Sequence, residues 1–318
     1  MKFAIPENLK DTLVPNILSI VPDATFVTYG EDGALYGDGK DVKVLFRWFI
    51  KPPALARLVK QLPDLHWLHI PRAGVDNTLI PEVMERDLLI TNSVGVHAAP
   101  ISEFVLLYML SHAKCVHGLI DLQAKKEWGS KHLPINELDG KTVLVIGTGK
   151  IGQAIITRCA AFGMNVIGSS RSGRPIPGAS KVVGNGEWRS ILPEADYVVI
   201  AAPLTKETRH MFGAAEFAAM KPGSYFINIA RGEIADEAAL LEALKNGPMA
   251  GAALDVFSTE PLPSDSPFWT LPNVFVTPHA SWQSPDVHKR IYELFYDNLR
   301  LYASNQPLFN IVDKEAGY

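Results

Sequence analysis

The chain of 318 residues is long enough to bury a substantial core and to form two domains rather than one. Its composition, 47% hydrophobic and 20% charged with a net charge of −4, excludes a general attraction to nucleic acid or anionic lipid, and its scattered Lys and Arg form no basic helix. The two cysteines, Cys115 and Cys159, lie in apolar or helix-like surroundings that suit reduced core thiols rather than a disulfide framework. MKFAIPENLK reads as a short strand running into a turn, not as a signal peptide. The most apolar run, ISEFVLLYML, is too short to span a bilayer and contains Glu103, so a cytoplasmic protein is expected.

In chain order, KFAI, TFVTY, VKVLF, HWLHI and LLITN read as strands, with helices over 52–62 and 80–87 between them. Alternation of this kind implies a mostly parallel sheet covered by helices, the α/β class. Residues 101–128 read as one long helix, too apolar all round for a single solvent-facing stripe, as suits a helix bridging two domains or lying in a subunit interface. A second series follows Lys141: strands TVLVIG, MNVIGSS, YVVIAA, SYFINIA, GAALDV and VFVTP, with helices near 151–162, 187–192, 213–219 and 236–245. The stretch 173–186, GRPIPGASKVVGNG, reads as a long surface loop, and Pro285 precedes an amphipathic helix over 286–302. That helix is expected to pack back on the first domain. The domains are therefore 1–98 with 285–318, and 99–284.

GTGKIG places Gly147, Gly149 and Gly152 between an apolar strand and a helix. One glycine makes the tight turn, the next admits a pyrophosphate against backbone, and the third allows close helix–strand contact, while N–H groups at the helix start face the anion. An NAD site usually carries Asp or Glu at the end of the second strand, where it accepts bonds from the ribose hydroxyls. Here that strand ends in SSRS, and no acid occurs between Asp139 and Glu187, whereas Lys150, Arg158, Arg171, Arg174 and Lys181 do. Ser169 and Ser170 can donate to an extra phosphate and Arg171 can pair with it, with Ser172 and Arg174 in support, so NADP(H) is the expected cofactor and NAD(H) the alternative. Arg171 as a plain solvated loop residue is the competing reading.

Arg231 follows FINIA, Glu260 follows the LDVF strand and His279 follows VFVTP. Polar residues just past apolar strands line the ligand crevice of a doubly wound sheet, so these three form a candidate acid–base cluster. Asp255, also at a strand end, reads either as a partner for a cofactor amide or as a turn cap.

The motifs GTGKIG, AAPLTKETRHMFG, NIARGEIADEAAL, GAALDVFSTEPLP and TPHAS, in that order, closely resemble those of the D-isomer-specific 2-hydroxyacid dehydrogenases; RAGVDN at 72–77 and NSVGVHAAPISEF at 92–104 add weaker support. The resemblance implies two Rossmann-like domains with the active site in the interdomain cleft, and a homodimer formed through the nucleotide-binding domain. It implies that Arg231 binds the substrate carboxylate and the reacting oxygen, that His279 donates a proton to the carbonyl as hydride arrives, and that Glu260 pairs with His279. It also brings Lys150, Ile151, Pro203, Thr208, Ile229, Ala230, Asp255 and His279 to the cofactor, and the N–H groups of Ala73, Gly74 and Val75 to the substrate carboxylate. Arg72 then reads as a second cation for an acidic substrate or as a solvated residue, and Trp48, Phe49 and Trp282 as pocket walls or as core. Glyoxylate, hydroxypyruvate and bulkier phenyl- or branched-chain keto acids all fit.

Two departures from the usual family pattern stand out: the absent second-strand acid, and Ala280, Ser281 and Trp282 after the histidine, where small residues are usual. His97, His112, His117 and His132 lack ligand spacing, so no catalytic metal is expected. Two other readings compete with a 2-keto acid reductase. One is a dinucleotide-sensing regulatory protein on the same scaffold. The other is a dehydrogenase of a phosphorylated or phosphonate acid, which would need further cations, Arg47 and Arg72 being the candidates.

Overall fold

The apolar runs assemble into two sheets, each belonging to its own compact unit: Met1–Val96 with Ser284–Tyr318, and His97–Gln283. A computed structural model describes residues 1–75 and 77–316; Asp76, within RAGVDN, and residues 317–318 lie outside the described residues. The first unit runs β1 (Lys2–Pro6), α1 (Lys10–Ile20), β2 (Thr25–Tyr29), β3 (Leu35–Tyr36), β4 (Val42–Phe46), α2 (Pro52–Lys60), β5 (Trp67–His69), α3 (Pro81–Met84) and β6 (Leu89–Thr91). Its sheet has the order β3-β2-β1-β4-β5-β6, parallel except for β3. β3 escapes a sequence reading because two residues carry no alternation. The helix expected over 80–87 shrinks to the single turn α3, because the chain must already be extended at Leu89 to enter the sheet.

The second unit contains α4 (Ala98–Ala113), α5 (Val116–Lys125), β7 (Thr142–Ile146), α6 (Lys150–Ala161), β8 (Asn165–Ser169), β9 (Lys181–Val183), β10 (Tyr197–Ile200), α7 (Ala214–Ala219), β11 (Tyr225–Asn228), α8 (Glu237–Asn246), β12 (Gly251–Leu254) and β13 (Val274–Val276). All seven strands are parallel in the order β13-β12-β11-β10-β7-β8-β9. The long helix expected over 101–128 is two helices bent by 61°. At the break Asn136 N–H donates to the Ala113 carbonyl at 2.7 Å, supplying that helix-end acceptor with a partner, and Cys115 turns into the left-handed region at φ 52°. The loop expected over 173–186 contains β9, whose Val183 is buried; the surrounding Gly and Pro hide a three-residue strand. The segment 187–192 is a short 3₁₀ turn, Glu187–Ile191.

The last helix, α9 (Val287–Ala303), packs on α1 in the first unit, where buried Phe295 meets the rings of Phe46 and Trp67 at 4.7 and 5.4 Å. Burying an aromatic side chain of this kind contributes roughly 1.5–3 kcal/mol. Both cysteines are free thiols, and burial pushes the Cys159 thiol up to about 12. No single helix among the described residues is long and apolar enough to cross a membrane.

Candidate active site

Strand register places the chemistry of the second unit on one edge. Ile146 pairs with Ser169 and Ile200, Ile200 with Asn228, Asn228 with Leu254, and Leu254 with Val276, so six parallel strands end level. The glycine loop, SSRS, AAP, IAR, Asp255 and TPH therefore all leave the sheet at its carboxyl edge. The strand order reverses beside β7, the position at which doubly wound sheets open a crevice.

The glycine loop separates its three glycines by purpose. Gly147 has φ 97°, and an added Cβ would lie 2.5 Å from the Ala202 backbone nitrogen. At Gly152 a Cβ would lie 1.9 Å from the Gly147 carbonyl oxygen, so helix and strand can approach only with glycine there. At Gly149 a Cβ would meet nothing within 4 Å. Protein packing thus demands two of the glycines, while the third faces open space where a ligand's backbone contact would fall. Gly149 caps α6, whose first turn, with Lys150 and Ile151, holds no acidic residue. These residues fit a dinucleotide pyrophosphate.

At the end of β8, Ser169 is only 4% exposed, whereas Arg171, Ser172 and Arg174 are at the surface and Ser170 is half-buried. Ser170 Oγ accepts from Gly173 N–H at 3.1 Å and Ser172 Oγ from Arg174 N–H at 3.4 Å. A serine that accepts still has its own proton to donate, so this turn can present hydroxyl donors beside the Arg171 guanidinium. The acid that reaches this turn is Glu207, on the loop after β10. The Thr205 hydroxyl and its own N–H hold the Glu207 carboxyl below the usual range against a slight desolvation, with the charges of Lys206 and Arg171 adding to this. Thr208 spends its hydroxyl on the same loop, donating to the Pro203 carbonyl at 2.7 Å while accepting from Thr205 N–H at 2.7 Å.

Beyond β11, buried Asn228 grips the IAR turn: its amide donates to the Arg231 carbonyl at 2.9 Å and its oxygen accepts from Ala230 N–H at 3.1 Å. Ile229 is buried, and Arg231 is half-buried with Nη1 donating to the Ala230 carbonyl at 2.7 Å. A Cβ on Gly232 would lie 2.0 Å from the Phe257 carbonyl carbon, which seats this turn against the loop carrying Glu260. Asn228 is missed by sequence reading because it looks like the last residue of a buried strand.

His279 Nδ1 and Glu260 Oε2 lie 2.7 Å apart. Glu260 Oε1 also accepts from Phe257 N–H at 3.1 Å. Partial burial works to raise the Glu260 carboxyl, but the bonds from His279 and Phe257 and the charges of His279 and Arg231 outweigh it and hold the group below the ordinary glutamate range. His279 sits in the left-handed region at φ 51°, an uncommon conformation for a non-glycine residue, and its N–H is shared between the carbonyls of Asp255 and Thr277 at 2.9 and 3.0 Å. Asp255, 1% exposed, accepts from the Thr277 hydroxyl at 2.6 Å, from Ala280 N–H at 2.9 Å and from Ser281 N–H at 3.1 Å. Of its two expected roles, the observed contacts are those of a turn cap. Trp282 packs on the apolar cluster beneath β7 and meets His97 at a ring distance of 6.2 Å.

In the first unit, Phe46, His69 and Thr91 end level, so Arg47–Phe49, the 72–75 loop and Asn92 share an edge. The carbonyls of Arg72, Ala73 and Val75 all accept from the protein: from Ser93 N–H at 3.0 Å, from the Asn92 amide at 3.0 Å and from Thr78 N–H at 2.7 Å. Val75 is buried, while Ala73 and Gly74 are half-buried. Arg47 is not an available cation: it is 3% exposed and donates to the Thr78 hydroxyl and to the Ile50 and Asn77 carbonyls. Arg72 stacks its guanidinium over Phe49 at 4.8 Å. Trp48 is half-buried and packs against Phe46, Phe49, His288 and Tyr292.

Among the described residues no group of three His, Cys, Asp or Glu could hold a metal ion. His112 stacks on Tyr225 at 4.2 Å, His117 lies edge-on to Phe275, and His132 is exposed.

Residues 106–281 match the family of the D-isomer specific 2-hydroxyacid dehydrogenase, NAD binding domain. The chain is 34% identical to the glyoxylate reductase of Thermococcus gammatolerans, over 76% of this chain and 74% of that protein. It is 33% identical to the D-3-phosphoglycerate dehydrogenase of Methanocaldococcus jannaschii over 76% of this chain, but spans only 46% of that relative's length. The crystal structure of a D-isomer specific 2-hydroxyacid dehydrogenase from Xanthobacter autotrophicus Py2 in complex with NADPH and MES is similar with a TM-score of 0.86 and 29% identity, covering 100% of this chain and 99% of that one.

Proposed function

This chain belongs to the D-isomer specific 2-hydroxyacid dehydrogenase family, whose activity is NAD(P)-dependent, and on that premise we propose that it reduces a small 2-keto acid with NADP(H) as the preferred cofactor and NAD(H) as the lesser one. The observation that carries the reading is the 2.7 Å bond between His279 Nδ1 and Glu260 Oε2, on the same sheet edge as the glycine loop. A histidine held by a carboxylate in this way supports proton transfer over the mere sensing of a dinucleotide.

The loop of Gly147, Gly149, Lys150, Ile151 and Gly152 holds the pyrophosphate. Ser170, Arg171 and Ser172 take the extra phosphate of NADP, and Glu207 tempers the positive field there. When bound, the reduced nicotinamide supplies the hydride. Negative charge then grows on the substrate oxygen, and the Arg231 guanidinium lowers the cost of that charge. With Nδ1 held by Glu260, Nε2 is the ring nitrogen left to give the oxygen its proton. Glu260 stabilises the charged imidazole before transfer and fixes its orientation. In the oxidative direction neutral His279 takes the proton back.

The likeness to a glyoxylate reductase and the commitment of Arg47 to its own unit favour glyoxylate or hydroxypyruvate over a phosphorylated acid. Initial rates with glyoxylate, hydroxypyruvate, pyruvate, phenylpyruvate and 3-phosphohydroxypyruvate, each with NADPH and NADH, test this. The expected result is kcat/KM for one of the first two at least about tenfold above that for the phosphorylated acid, and higher with NADPH. Tight NADPH binding without turnover of any acid would favour the sensing role instead.

The second unit also exposes Leu107, Leu119, Ile120, Trp128 and Ile135, an apolar set suited to a homodimer face. The double variant Leu119→Asp, Ile120→Asp is expected to halve the particle mass in sedimentation equilibrium. A wild-type particle at the 34.9 kDa of one chain would sink this assignment.

A further inference from the structure

We propose that Tyr108 and Thr277 are positioning residues for His279, acting through a one-way chain of hydrogen bonds that ends on Asp255. The proposal rests on the reading of His279 as the proton donor.

The direction of the chain follows from valence. Thr277 Oγ1 lies 2.6 Å from Asp255 Oδ1 and 2.6 Å from the Tyr108 hydroxyl. A carboxylate only accepts, so the single proton of Thr277 is committed to Asp255. Tyr108 must therefore donate to Thr277. The tyrosine is suited to stay a donor: burial first, and then the negative charge of Asp255, push its ionisation far above the usual phenol range. Its ring is fixed edge-on against Phe275 at 5.4 Å.

What the chain holds is the turn that bears His279. Asp255 takes the N–H groups of Ala280 and Ser281 on one side of the histidine, and its own carbonyl takes the N–H of His279. A left-handed residue at φ 51° persists only where its surroundings over-determine it, and these bonds are the ones that do so. Thr277, itself held by the Tyr108 hydroxyl, completes the set of donors around Asp255, so that its carboxylate stays aimed at the two N–H groups. None of the bonds reaches a reacting atom; each fixes where the imidazole sits. The anchor, Tyr108, comes from α4, a helix that carries none of the acid–base residues.

The test compares Thr277→Val, Thr277→Ser and Tyr108→Phe, with rates normalised to NADPH-binding sites and with hydrogen–deuterium exchange over the peptide 277–283. Thr277→Val is expected to lower kcat about tenfold with KM for the keto acid within about twofold, Thr277→Ser to restore kcat to within about twofold, and Tyr108→Phe to fall between. Exchange at Ala280 and Ser281 should quicken about tenfold in Thr277→Val. Unchanged exchange and unchanged kcat per binding site in Thr277→Val would overturn the proposal, as would a Thr277→Ser variant no better than Thr277→Val. Faster exchange in Thr277→Val of a protein that turns over no keto acid would sink the dehydrogenase reading while supporting the chain's hold on the turn.

Discussion

Replacing His279 by alanine is expected to lower kcat for keto-acid reduction about 1,000-fold while NADPH affinity stays within about twofold. Loss of a general acid removes stabilisation that exists only in the transition state, so kcat and kcat/KM should fall together. Glu260→Gln is the graded companion. It keeps the shape and a hydrogen bond but removes the charge that favours protonated imidazole, and a loss of about 10–100-fold in kcat is expected. The same substitution has a pH signature in stability. The Glu260 carboxyl lies below its ordinary range in the folded protein, so its contribution is fully present above that range and is lost as pH falls through the folded value. Melting curves of wild type and Glu260→Gln should therefore differ near neutral pH and converge in acid. A gap that persists unchanged at low pH would show that the carboxylate's charge is not what stabilises the pair. Equal kcat in wild type and His279→Ala would remove the histidine from the chemistry altogether.

Arg171→Ala is expected to reduce kcat/KM for NADPH about 50-fold and to change that for NADH less than about twofold. The phosphate dianion that distinguishes the two cofactors would lose its chief guanidinium partner and keep the hydroxyl donors of Ser170 and Ser172, with Arg174 in support. Because Arg171 is exposed, part of the effect is long-range attraction, so the penalty should shrink as salt rises. Glu207→Gln should push the other way, since it removes the negative charge acting on Arg171. A variant in which both cofactors weaken equally would mean that Arg171 serves the loop's structure rather than the phosphate.

Most of the candidate site is legible in the chain because several apolar runs in the second half lead into polar residues that the sheet has no use for. Arg231, Asp255 and His279 all announce themselves in this way, and parallel register does the rest. The glycine loop is legible for a related reason, since glycines at that spacing between an apolar strand and a helix point to a tight turn and close helix–strand contact, which Gly147 and Gly152 supply. What escapes is whatever contact alone defines. Glu207 reaches Arg171 from a different strand-end loop, so a search along the second strand finds no acid where the fold supplies one. Asn228 and Tyr108 look like ordinary core positions until their bonds are seen. Arg47 errs the other way: a cation near a strand end reads as a ligand, but its guanidinium is consumed by the Thr78 hydroxyl and two carbonyls. The helix breaks after Ala113 at the left-handed Cys115, with Asn136 N–H bonded to the Ala113 carbonyl, and no periodicity reveals either feature.

The discontinuity of the first unit has a consequence for how the molecule is made. On the ribosome, residues 97–283 are all synthesised before Ser284, so the second unit has its whole sequence available while the first still lacks α9. Until that helix arrives, Phe46 and Trp67 have no Phe295 to cover them, and the Asn310 amide cannot donate to the carbonyls of Asn92 and Val94. The unit that begins first is therefore finished last, and its open sheet waits through the synthesis of an entire domain with apolar surface uncovered. That interval, more than the folding of either unit alone, is when the nascent chain stands to gain most from a chaperone.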